Sequence, residues 1–143
     1  MELEPLLDSL AVLAGQEREV TFLPGGLTNA NYRVTTATRD VVVRVASASS
    51  GLLPIDCDQE VHNSRAAAKA GVAPEVVEHR PGLLVVQFVP DALTYGDSDL
   101  AANLAGVADV VRRLHEGPAF AGRFDMFDIQ REYLAIMHTH RFR

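Results

Sequence analysis

Cysteine is nearly missing: Cys57 is the only one among 143 residues. That excludes an intrachain disulfide and suits a reducing compartment. His62, His79, His115, His138 and His140 are scattered, with no cysteine–histidine cluster at zinc spacing, so no metal site is expected. Basic residues are in deficit, 13 Lys and Arg against 19 Asp and Glu, for a net charge of −6 and a pI near 5.3. Such a balance argues against nucleic acid or an anionic membrane as partner. No apolar run approaches the ~20 residues that cross a bilayer, and the N-terminus lacks a signal-peptide pattern. There is no internal repeat and no low-complexity tract. These absences point to a soluble, cytoplasmic protein.

Hydrophobic residues make up 48% of the chain, enough for one domain that buries roughly two-thirds of its unfolded surface. The chain is organised around Phe22 to Val45. Apolar residues lead in at Val20 and Phe22, and Pro24-Gly25-Gly26-Leu27-Thr28-Asn29 follows as a glycine turn. An alternating segment comes next (Tyr32, Val34, Thr36), then the dense run Val41-Val42-Val43-Arg44-Val45. Period and turn chemistry predict an antiparallel meander. Paired glycines let backbone N–H groups approach a ligand closely, as in a phosphate cradle, and they equally make an ordinary hairpin loop. Arg44 is a cation inside a valine-rich strand. It is either the solvent-facing residue of an edge strand or a half-buried guanidinium that needs a partner.

Leu3, Leu6, Leu7, Leu10 and Leu13 predict a first helix over about residues 3 to 14, ended by Gly15. A second helix is expected over about 58 to 70, capped by Asp56 or Asp58 and closed by Gly71. Glu60 lies in its first turn, where the helix dipole favours a carboxylate, and on a face from which it can also reach Arg44. Val76-Val77 and Leu83 to Val89 predict a further hairpin around Arg80-Pro81-Gly82. Beyond Asp97 a helix carrying Leu100, Leu104, Val107, Val111 and Leu114 stops at Gly117-Pro118. A last helix is expected over about 128 to 140. His115, at a helix end with no carboxylate arranged nearby, reads as structural.

The segments Gly25-Gly26-Leu27-Thr28-Asn29-Ala30-Asn31-Tyr32-Arg33-Val34, Val41-Val42-Val43-Arg44-Val45, and Ile55-Asp56 with Glu60 resemble the N-terminal lobe of choline/ethanolamine kinases. That family belongs with the aminoglycoside phosphotransferases in the protein-kinase-like superfamily. The resemblance covers roughly residues 15 to 135. It implies an α+β fold, a five-stranded antiparallel sheet with a packed helix, followed by the first helices of a C-terminal lobe. Residues 1–90 would be the nucleotide-binding lobe, and residues 91–143 the hinge and the start of the helical lobe. It further implies ATP and Mg²⁺ as cofactors and a small-molecule alcohol as acceptor. Gly25, Gly26, Leu27, Thr28 and Asn29 would lie over the phosphates. Arg44 would pair with Glu60, and backbone groups about Gln87 and Val89 would meet adenine. Cys57 stands where family members often carry arginine, and Pro90-Asp91 where their hinges usually have glycine.

The family's catalytic loop, His-x-Asp-x-x-x-x-Asn, supplies the aspartate that receives the acceptor's proton and an asparagine that holds magnesium. No histidine in this sequence is followed two residues later by aspartate. The later magnesium-binding Asp motif is missing too. The expectation is therefore a truncated phosphotransferase, inactive alone, with no Mg²⁺ ligands of its own and with apolar stripes left for a C-lobe partner or for self-association. The competing readings are a non-catalytic chain that binds nucleotide or protein, a decayed gene product, and an unrelated α+β binding module.

Overall fold

A computed structural model describes residues 3–25, 29–46, 57–93, 96–122 and 125–140. The expected α+β fold forms. Strands β1 (Arg18–Leu23), β2 (Asn29–Thr36), β3 (Asp40–Ala46), β4 (Val76–Arg80) and β5 (Leu83–Gln87) make one sheet in the order β1-β2-β3-β5-β4. Every neighbouring pair is antiparallel. The helices are α1 (Leu3–Asp8), α2 (Cys57–Lys69), α3 (Asp97–Ala102), α4 (Leu104–Glu116) and α5 (Met126–His140). No helix among the described residues is long and apolar enough to cross a membrane.

The valine run behaves as its alternation requires: Val41, Val43 and Val45 are buried, while Arg44 between them is exposed. Their buried side meets Leu7, Leu10 and Leu13, all fully buried, together with Val34, Leu83 and Val85. This is the core, and it lies on one face of the sheet. Pro81-Gly82 joins β4 to β5, with Gly82 at φ +77°. That proline-then-glycine order is the one a type II turn demands.

The first helix is shorter than its leucine spacing predicts. The α-helix ends at Asp8 and the chain continues in tighter turns, with Leu10 N–H bonding Leu7 C=O (3.2 Å) and Leu13 N–H bonding Leu10 C=O (3.0 Å). Three residues per turn keep Leu7, Leu10 and Leu13 on one side as well as an α-helix would. The cause lies 66 and 67 residues away. Glu78 of β4 accepts hydrogen bonds from Ala11 N–H (3.1 Å) and Val12 N–H (3.0 Å), diverting donors that an α-helix would spend on its own carbonyls.

The helix expected through Leu100 to Leu114 is interrupted at Asn103, which leaves helical geometry at φ −118°, ψ 23°. Its side-chain amide donates to Asp99 C=O (2.8 Å), competing with the backbone ladder. The α4 apolar stripe is not covered by the described residues: Leu104 is 63% exposed, and Val110 and Val111 are exposed too. α2 and α5 begin within two residues of their expected starts.

Candidate functional site

The sheet face opposite the leucine core holds the chemistry. Strand register places Asn31 and Leu84 on either side of Arg44, with His79 beyond Leu84. The next row along the same face is Arg33, Val42 and Val86. The face is thus polar toward β2 and apolar toward β5.

Helix α2 covers part of it, burying Val61 and Ala66. Its spacing brings Glu60 to Arg44, whose Nη1 pairs with the Glu60 carboxylate. Both remain accessible, at 45% for the Arg44 side chain and 30% for Glu60. This settles Arg44 as a paired cation on an interior strand, β3, not on an edge. Asn29, the first residue of β2, lines a narrow cleft with Arg44, Glu60, Val61 and His79. Its volume is about 20 Å³, room for a single water.

On its other side α2 is held by the segment after α4. The Asn63 amide donates to Ala121 C=O (3.3 Å) and accepts from Ala121 N–H (2.8 Å), and His62 Nε2 lies 3.3 Å from Ala119 C=O. Arg113 donates to Gly71 C=O (3.1 Å), just past the C-terminus of α2. Gly117 lies so close to α2 that a Cβ there would come within 2.7 Å of the Ala70 Cβ. α2 therefore carries Glu60 as part of a braced assembly.

Of the glycine turn, Gly25 is described: its φ of +109° suits glycine, and the space where a Cβ would stand is open. Gly26, Leu27 and Thr28 lie outside the described residues. At the far end of the sheet, Gln87 closes β5 in register with Val41, and its N–H is already bonded to Glu75 C=O (2.9 Å). Val89, two residues on, is exposed. The structure brings Asn29, Arg44 and Glu60 together, whereas Gln87 and Val89 stand apart from them.

Sequence reasoning missed a second cation on this face. Arg33 forms a two-point pair with Asp40 (Nε–Oδ1 2.9 Å, Nη2–Oδ2 2.7 Å), and its guanidinium stacks 3.9 Å from the centre of the Phe88 ring. Phe88 N–H in turn bonds Asp40 C=O (3.1 Å). The Arg33 hydrogen bonds hold the Asp40 carboxyl below its usual range, against a smaller desolvation effect. The signal was the two-residue offset that puts Arg33 and Asn31 on one face of β2, but only the register with β3 sets that face beside Arg44.

Among the described residues no group of three histidine, cysteine, aspartate or glutamate side chains converges to hold a metal. The arrangement itself offers a half-exposed guanidinium fixed by a carboxylate, with the amide side chains of Asn29 and Asn31 beside it. This set can bind an anion.

No curated protein and no solved structure matches the chain. A family model described as "Phosphotransferase enzyme family" matches residues 19–140, which spans the sheet from the second residue of β1 onward, α2 and the helices that follow. The chain belongs to that phosphotransferase enzyme family.

Proposed function

We propose that this chain is the nucleotide-binding part of an ATP-dependent small-molecule phosphotransferase of the choline/ethanolamine-kinase kind, acting on an alcohol. The observation that carries the reading is the Arg44–Glu60 pair on the open sheet face, beside Asn29 at the start of β2. A guanidinium has five N–H donors in a planar fork, so one carboxylate contact leaves others for phosphate oxygens. Glu60 fixes where that fork points. Backbone N–H groups of Gly25 to Asn29 would complete the cradle, with Thr28 or Asn29 nearest the terminal phosphate. At the other end the adenine would meet the Gln87 carbonyl and the Val89 backbone, since the Gln87 N–H is already taken.

Phosphoryl transfer depends on positioning and charge stabilisation, and Mg²⁺ would supply part of the latter. The described residues offer no three-ligand group for the ion, so no step is assigned to it. In this reading residues 1–90 are the nucleotide lobe and residues 91–143 the hinge and the start of a helical lobe. The exposed stripe of α4 would receive the remainder of that lobe or a second copy. A second reading is a chain that binds nucleotide without transferring phosphate.

Titration of the full chain with a fluorescent ATP analogue tests the assignment. Gly26→Val and Arg44→Met should each weaken binding by about ten-fold or more, the loss of one charge-assisted phosphate contact or its equivalent in backbone approach. Unchanged binding in Gly26→Val would remove the phosphate assignment. A turnover assay with choline and ethanolamine separates the two readings: the second predicts none, and sustained magnesium-dependent turnover overturns it.

A further inference from the structure

A second cleft lies along α2 beside the Arg44 cleft and shares Val61 and His79 with it. Its volume is about 260 Å³, an order of magnitude more than the cleft at Arg44. Its apolar lining is the buried Val61 and Ala66 together with the exposed Pro118. The rim is basic: His62, Arg65 and Lys69 rise from α2 and His79 faces them from β4. His62, Arg65 and Lys69 follow one another at three- and four-residue steps, which align them along one helix face. Neither Arg65 nor Lys69 has an ion-pair partner among the described residues.

This concentration of donors stands out on a chain whose net charge is −6. The one acidic side chain in the cleft, Asp58, is seven positions from Arg65 and eleven from Lys69. That is about 10 and 16 Å along the helix axis, so it flanks one end and leaves the other cationic. A planar guanidinium, an ammonium and the His79 imidazole, with the His62 ring beside them already engaged at Ala119 C=O, present more donors than a carboxylate can use. A tetrahedral dianion with three or more oxygens matches them better.

We infer that the cleft between α2, His79 and Pro118 is a binding site for a phosphate dianion, either free phosphate or the head of a small phosphomonoester whose body rests on Val61, Ala66 and Pro118. Bound there, the anion would join α2 to β4 through Arg65, Lys69 and His79. It would thereby hold the helix that also carries Glu60. Arg65 and Lys69, which carry the site, do not line the Arg44 cleft, so either assignment can fail without the other.

The test follows histidine ring resonances of the isotopically labelled full chain during titration with inorganic phosphate, and separately with glycerol 3-phosphate, at constant ionic strength. His62 and His79 should shift and saturate in the millimolar range, while His138, on α5, stays put. Tighter binding of the ester would show that the apolar lining is used, and equal binding would identify free phosphate as the ligand. Arg65→Gln with Lys69→Gln, both at exposed positions, should weaken the interaction at least about ten-fold without loss of helicity. Non-saturating shifts, shifts that chloride reproduces, or a doubly substituted chain that titrates like the original would each overturn the site.

Discussion

Replacing Glu78 by glutamine tests the clasp between β4 and the N-terminal leucine turn. The Glu78 side chain is 13% exposed. Its two oxygens accept from Ala11 N–H, Val12 N–H and the Arg80 Nε (3.0 Å). Glutamine keeps the length but has one acceptor oxygen, so one of these N–H groups, part-buried at Val12 or exposed at Ala11, would face an amide NH₂ group. Losing a charge-assisted hydrogen bond in that setting costs about 2 kcal/mol, and the half-exposed Arg80 contact adds a few tenths. For a chain of this size the sum corresponds to a fall in Tm of roughly 6 °C. The pH dependence carries a definite sign. Burial, the largest single influence, pushes the Glu78 carboxyl up, but the Val12 and Ala11 N–H groups and Arg80 together outweigh it and hold it below its ordinary 4.5. A folded-state value below the unfolded one means stability that is complete well above pH 4.5 and disappears as pH falls through the folded value. Urea or thermal unfolding of both proteins from neutral to acid pH should show the full difference at neutral pH and a shrinking one below 4.5. A difference that is absent at neutral pH, or that does not change with pH, would refute the reasoning.

A double-mutant cycle of Arg44→Gln and Glu60→Gln should give a coupling of about 0.5–1 kcal/mol that fades in high salt, because both side chains are partly exposed. Deep burial would have led to roughly 3 kcal/mol, and simple additivity in urea unfolding would mean the pair contributes nothing. Two glycine-to-alanine changes should move in opposite directions in a melting experiment. Gly117→Ala, whose Cβ would lie 2.7 Å from the Ala70 Cβ and 3.2 Å from Arg113 C=O, should destabilise by about 1–3 kcal/mol. Gly106→Ala, in open space within α4, should stabilise by about 0.5–1 kcal/mol. The same sign for both would contradict the packing of α4 on α2.

The parts of the fold legible in the sequence are those set by local periodicity. Alternation along Val41 to Val45 told which valines enter the core, and Pro81-Gly82 told where the last hairpin turns. Helical spacing put Glu60 within reach of Arg44. What could not be read depended on partners distant in the chain. The α-helix stops at Asp8 because a carboxylate at position 78 takes its donors. Arg33 meets Phe88 only because the register of β2 on β3 and of β3 on β5 places them on one face. The break at Asn103 rests on a single side-chain hydrogen bond that competes with an otherwise favourable helical pattern. The candidate site was half legible for the same reason: residue types and spacing named Arg44, Glu60 and Asn29, while the small size of the cleft between them is a matter of packing.

The strand order has a kinetic meaning. β1, β2 and β3 form a meander of adjacent hairpins, and β4 and β5 form another hairpin; the two are joined along the β3–β5 seam, where Val43 faces Val85 and Arg44 faces Leu84. Each hairpin closes a short loop, but the seam must bring together positions about 40 residues apart, at an entropic cost of about 3 kcal/mol. The seam is therefore the slow step expected of a sheet with this connectivity. Arg44 lies on it, and its partner Glu60 arrives on the helix that links the two halves. The Arg44–Glu60 surface thus comes into being with the last closure of the sheet, and a chain stalled before that closure would keep much of its local strand structure while lacking that pair.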